Sequence, residues 1–199
     1  MVNIISKGGF DDNFTYLLTS ANGDHAVIDP CGKCAEKLKS LNIAANSLKY
    51  ILITHGHSDH FDALDEIKKL FPEAKTAGYK KAEFQKDIDL DEGSRLCFGN
   101  NSIEIIHTPG HSRDSLCYIY KPDNAIFTGD TLFIGCIGFC RSPGTMAQSL
   151  TRLRSLPEEL IIYSGHDYGE VQNRSLAEEK VKNPEFSPDF ISKLYSERG

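Results

Sequence analysis

Tyr50-Ile51-Leu52-Ile53-Thr54-His55-Gly56-His57-Ser58-Asp59-His60 is the stretch on which the reading of this chain turns. Its first four residues are apolar and read as a short buried strand. Three histidines and one aspartate then fall within six residues. So dense a set of donors has little use in packing. These are the nitrogen and oxygen ligands that suit zinc, iron or manganese. Taken as an extended segment, the motif is expected to point His55, His57 and Asp59 to one side and His60 elsewhere, so that it can address two ions.

Three more apolar strands lead outward to residues of the same kind. Ile103–Ile106 runs into His107-Thr108-Pro109-Gly110-His111, Ala125-Ile126-Phe127-Thr128-Gly129 into Asp130, and Leu160–Tyr163 through Ser164-Gly165 into His166. Small or turn-forming residues precede each donor, as expected of loops that deliver side chains to one rim of a sheet. Singly, each has a plainer use: Asp59 could cap a helix beginning near Phe61, and Asp130 could be a turn residue. Five histidines and two aspartates together make a metal site the better reading.

The remaining pattern is α/β. Asn13–Leu18 and Ala26–Ile28 read as strands around Ala21-Asn22-Gly23-Asp24, whose Asn-Gly is a hairpin signal. Helices are expected at Lys33–Leu41, Phe61–Phe71, Met146–Leu156 and Asn173–Val181, with Phe61, Leu64, Ile67 and Leu70 on one face. Arg95–Phe98 with Ile103–Ile106, and Leu116–Tyr120 with Ala125–Phe127, read as further strand pairs. No linker or low-complexity tract divides the 199 residues, so one layered domain over 1–199 is expected.

Composition sets the outer limits. Hydrophobic residues are 40% and charged residues 25%, ordinary values for a globular protein. The formal net charge of -6 argues against a nucleic-acid partner. No apolar run is long enough to span a membrane, and no signal peptide is visible, so a cytoplasmic location is expected. Of the six cysteines, Cys97 and Cys117 are expected to be reduced core residues. Cys31-Gly32-Lys33-Cys34 is a CxxC between a strand and a helix; as a redox pair it is a weak signal, and two ordinary loop cysteines are the simpler reading. Cys136 and Cys140 are read the same way.

His55-x-His57-x-Asp59-His60, followed by a later His, Asp and His, resembles the metallo-β-lactamase superfamily. His107–His111, Thr128-Gly129-Asp130-Thr131-Leu132-Phe133 and Gly165-His166-Asp167-Tyr168 are similar to segments of its glyoxalase II branch, the hydroxyacylglutathione hydrolases. The resemblance implies a four-layer αββα sandwich with the site at one edge of its sheets. It implies one ion on His55, His57 and His111, a second on Asp59, His60 and His166, and Asp130 between them, with His107 supporting the loop. Zinc is the first expectation for the two divalent ions, iron and manganese the others. The implied reaction is hydrolysis of a small thioester by a metal-bridged hydroxide, with Asp59 and Asp130 as catalytic residues.

The chain departs from that branch in two ways. Few residues follow Tyr168, and Gly135-Cys136-Ile137-Gly138-Phe139-Cys140-Arg141 alters the segment that grips glutathione. Arg141 and Tyr168 are the expected substrate contacts, with weak glutathione dependence. Persulfide dioxygenases share the motif set, and similarity to them implies a single iron on His55, His111 and Asp130. A non-catalytic metal- or sulfur-handling protein is the third reading. The oligomeric state is not legible.

Overall fold

The computed structural model describes residues 1–9 and 11–196. One six-stranded sheet runs in the order β1 (Val2–Gly8), β2 (Asn13–Thr19), β3 (His25–Ile28), β4 (Leu48–Leu52), β5 (Lys75–Tyr79), β6 (Ile88–Leu90). The other contains β7 (Arg95–Phe98), β8 (Asn101–His107), β9 (Leu116–Tyr120), β10 (Ala125–Gly129), β11 (Ile161–Ser164) and β12 (Arg174–Ser175), again in sequential order across the sheet. In the first sheet β1 to β3 are antiparallel and β3 to β6 parallel. In the second, only β10 and β11 pair in parallel. The helices are α1 (Cys34–Ser40), α2 (Leu64–Leu70), α3 (Pro143–Arg154), α4 (Leu176–Lys182) and α5 (Pro188–Ser196).

The two-residue period of the strands sorts side chains into layers. Phe14, Tyr16 and Leu18 of β2 meet Leu116, Tyr118 and Tyr120 of β9 and Phe127 of β10 between the sheets. Burying each contributes about 1.5–3 kcal/mol relative to exposure. The intervening Cys117 and Ile119 face outward, against Met146, Leu150 and Leu153 of α3 and Ile191 and Leu194 of α5. On the first sheet Val27 and Ile51 pack on Leu38 of α1 and Ile67 of α2. The stack is therefore helix, sheet, sheet, helix, as the resemblance implied. No helix among the described residues is long and apolar enough to cross a membrane.

Several expectations need correction. The helix expected from Phe61 begins only at Leu64, because Ser58–His60 closes a 3₁₀ turn first. The helix expected from Asn173 begins at Leu176: Arg174 and Ser175 pair with β11, and the Ser175 hydroxyl accepts from the Glu178 N–H at 3.3 Å. Cys97 is exposed rather than in the core, since Leu96 and Phe98 take the inward positions of β7. The strands β1, β5 and β6 were not anticipated; their mixed or very short patterns give little periodic signal.

Candidate metal centre

Side chains converge where β4, β8, β10 and β11 end. His55 and His57 follow β4, His111 follows β8, Asp130 follows β10 and His166 follows β11. Potential ligand atoms of His55, His57, His111 and Asp130 form one group, those of Asp59, His60 and His166 another, each within 4.8 Å of one another. The 3₁₀ turn, with His60 N–H donating to His57 C=O at 3.1 Å, rotates Asp59 away from His55 and His57. The extended reading of 55–60 therefore fails at Asp59, although the motif does face two groups.

The hydrogen bonds behind the histidines decide which ring nitrogens face the centre. His111 Nδ1 donates to Phe139 C=O at 3.0 Å, and His166 Nδ1 to Asp11 C=O at 2.7 Å. A carbonyl only accepts, so both rings carry their proton on Nδ1. His60 Nδ1 faces Asp29 Oδ2 at 2.9 Å. The Thr54 hydroxyl donates to Asp29 Oδ2 at 2.7 Å and is left to accept from His55 Nδ1 at 3.1 Å. Nε2 of all four rings is thus directed inward. His57 is the exception and offers Nδ1, at 2.9 Å from His55 Nε2 and 3.0 Å from His111 Nε2.

One proton cannot satisfy three such nitrogens, whereas one cation can. Asp130 lies between the groups: its Oδ2 is 3.5 Å from His111 Nε2 and 3.3 Å from His166 Nε2, and its Oδ1 is 3.3 Å from His60 Nε2. His60 Nε2 and Asp130 Oδ1 are buried without an aligned hydrogen bond among the described residues. Buried groups left so normally have an ion or water partner. The donor set fits divalent metal ions.

The electrostatics differ across the centre. Burial, reinforced by His60, holds His55 well below the ordinary imidazole pKa. Burial also lowers His111, with Asp130 opposing. At His60 burial pulls downward, but Asp29 and Asp130 outweigh it and the net shift is well upward. His166 is likewise raised, its burial outweighed by Asp130. Asp130 is held well below the carboxylate range: burial would raise it, but His60 and His166 prevail. Room is made by small residues. A Cβ on Gly165 would collide with Asp130 Oδ1, and one on Gly138 with the Asp130 carbonyl.

The two expected substrate contacts lie apart. Arg141, exposed, lines a cleft of about 990 Å³ that reaches His57 and also holds Lys81 and Arg113. The Tyr168 ring stacks on His166 at 4.9 Å, its hydroxyl bonded to Asp11. His107 supports the loop, its Nε2 against Arg113 C=O at 2.9 Å. Sequence reasoning missed Asp29, which fixes Thr54 and His60, and Asn13, whose Nδ2 donates to Asp59 Oδ2 at 2.9 Å. Asp29 had a signal, since it follows β3 at the same rim; Asn13 and the carbonyls of Asp11 and Phe139 had none.

Cys31 and Cys34 are buried behind this rim, and burial pushes both thiols up to about 12. Cys31 Sγ lies 3.1 Å from the Thr15 hydroxyl.

Comparison with known proteins agrees with this picture. The profile of the metallo-beta-lactamase superfamily matches residues 8–166. A hydroxyacylglutathione hydrolase from Hahella chejuensis is 35% identical over 172 residues, covering 84% of this chain. The chain spans 66% of that relative's length. Among solved structures, the BLEG-1 B3 metallo-beta-lactamase superposes with a TM-score of 0.81 at 25% identity, over 94% of this chain and 100% of that one. ETHE1 from Myxococcus xanthus gives 0.81 at 27% identity, over 100% of this chain and 91% of that one. The chain belongs to the metallo-beta-lactamase superfamily.

Proposed function

We propose that this protein is a dinuclear metal hydrolase acting on small thioesters of the hydroxyacylglutathione type, in the cytoplasm, with zinc before iron or manganese. The observation that carries the reading is the position of Asp130 between two ligand groups, its carboxylate oxygens 3.3–3.5 Å from Nε2 of His60, His111 and His166. Ions held there would lower the pKa of a coordinated water to near neutrality and polarise the substrate carbonyl.

The chain's own residues supply the rest. Asp130 holds the two groups together. Asp59 is the accessible member of its group, with its side chain 25% exposed against 0% for His60 and 4% for His166, so it can accept a hydrogen bond from the attacking water. Asn13 fixes that carboxylate by donating to Oδ2. Tyr168 stays protonated, since burial and its bond to Asp11 raise its pKa. No side chain of the centre is placed as a strong acid for the leaving group, and a thiolate needs none. The cleft offers room for the thiol arm of such a substrate. The Lys81, Arg113 and Arg141 side chains have no hydrogen-bond or ion-pair partner among the described residues, although Glu83 and Asp114 share the lining. An anionic arm suits them, glutathione being one of several that would.

Steady-state assays on S-lactoylglutathione, smaller acyl thioesters and a chromogenic cephalosporin test the reading. Thioesters should be preferred; preference for the cephalosporin would defeat it. The mono-iron alternative draws on the likeness to ETHE1 and on the nearness of His55, His111 and Asp130. Sulfur-dependent oxygen uptake with a single bound iron would favour it.

A further inference from the structure

The loop Thr131–Ser142 touches both ligand groups. Its Phe139 carbonyl fixes His111, and the Phe133 ring meets His166 edge-on at 5.7 Å. Gly138 passes directly against the Asp130 carbonyl, where no larger residue fits. The loop is anchored near the centre by the Arg141 and Ser142 amides, which donate to Gly110 C=O at 3.0 and 3.1 Å, and farther along by two carboxylates from outside the centre. The Gly135 N–H donates to Glu179 Oε1 at 2.6 Å, and the Ile137 N–H to Glu185 Oε2 at 2.9 Å.

Both carboxylates come from the C-terminal segment and are themselves braced. Glu179, on α4, is fully buried; its Oε2 accepts from Arg174 Nη1 at 3.0 Å, and Arg174 also pairs with Glu170. Asn183 Oδ1 accepts from the Glu185 N–H at 2.9 Å. A fully buried glutamate is costly unless its oxygens are engaged, and here one oxygen of Glu179 is engaged by Arg174 and the other by a backbone donor of a loop at the metal centre. Cys136, between the two tethered amides, has its thiol pKa raised by burial and by the same two glutamates.

We propose that Glu179 and Glu185 are positioning residues for the metal centre: they tether the Gly135–Phe139 loop so that the Phe139 carbonyl holds His111 in its metal-facing orientation. The inference rests on the metal reading above. It assigns the segment Arg174–Glu185 a part in setting metal affinity, without contact to metal or substrate. Partners that orient ligands in this indirect way are worth about 10–100-fold in metal affinity.

The test uses zinc-loaded protein, chelator-driven zinc release and imidazole N–H exchange observed by NMR. Glu185→Ala should speed zinc release and exchange of the His111 Nδ1–H by about tenfold or more, while the His60 Nδ1–H, held by Asp29, keeps its protection. Glu185→Gln retains an acceptor and should recover most of the loss. Glu179→Gln keeps one acceptor oxygen but faces two donors, Gly135 N–H and Arg174 Nη1, and should act in the same direction as Glu185→Ala. Glu178→Ala, one position away on α4, should leave release unchanged. Release at the wild-type rate in both tether variants, or equal loss of protection at His60, overturns the proposal. If the wild type takes up neither zinc, iron nor manganese, the hydrolase reading fails by itself. The tether is then read in the metal-free protein from the Arg141 amide, bonded to Gly110 C=O at 3.0 Å, whose exchange Glu185→Ala should accelerate; unchanged exchange overturns the tether there as well.

Discussion

The two halves of the centre are built from different materials. His55, His57 and His111 meet with Asp130 as the carboxylate of their group, and the shifted histidines among them are held neutral by burial. His60 and His166 sit close to carboxylates, and against burial Asp29 and Asp130 raise the pKa of His60, and Asp130 that of His166. The lesson is that one half is ready for a cation, whereas the other stores protons that a cation must displace. Asp130 belongs to both and ties their fates together.

The largest effect should follow from removing that tie. Asp130→Ala is expected to weaken metal binding at both groups by more than about a hundredfold, since a direct ligand outweighs an indirect one. Elemental analysis after dialysis checks this; full metal content would strip Asp130 of its place. Next comes Asp29→Ala, which leaves Thr54 and His60 unsupported. It should cost about 10–100-fold in affinity at the second group, where His60 loses its direct partner, and less at the first, where His55 is reached only through Thr54. Equal losses at both groups would erase the proposed asymmetry.

The pH response sharpens the comparison further. In metal-free protein the raised pKa of His60 adds stability that is fully present below the ordinary imidazole value near 6.5 and is lost as pH rises through the folded value. The lowered pKa of His55 acts oppositely and costs stability as pH falls below that value. Asp130, held low, contributes stability that disappears only as pH falls through its depressed folded value. Metal binding at the second group must therefore release protons, and its affinity should climb about tenfold per pH unit for each proton displaced near neutrality. The first group should change less over the same range. Calorimetry in buffers of different ionisation enthalpy reads the proton count, and equal counts at the two groups would contradict the difference.

The smallest effect is expected behind the rim. Cys31 and Cys34 belong to neither ligand group, and burial pushes both thiols up to about 12. A Cys31→Ser, Cys34→Ser double variant should keep its metals and most of its reduced-state activity. Loss of metal under reducing conditions would make the pair part of the centre.

How much was legible in the sequence follows from which forces leave a pattern. The strand endings before His55, His111, Asp130 and His166 stood out because apolar runs stop abruptly at polar donors. The layered α/β stack followed from the alternation of such runs with helical segments. The turn at Ser58–His60 did not show, because a 3₁₀ turn of three residues leaves no periodic trace. Nor did the supports of the histidines, since a backbone carbonyl such as that of Phe139 or Asp11 carries no side-chain signature. Glu179 and Glu185 belong to no motif, and only the fold places them against the loop. Cys97 misled because a cysteine in a strand can face either way, and Leu96 and Phe98 had the stronger claim on the interior.

The central claim is a centre of two ions on unequal supports. Anomalous scattering from crystals of the zinc-loaded protein, collected at the zinc edge, tests it most directly. The account predicts two peaks, one among His55, His57 and His111 and one among Asp59, His60 and His166, with Asp130 between them. A single peak on His55, His111 and Asp130 in fully loaded protein, or peaks elsewhere in the chain, would contradict it.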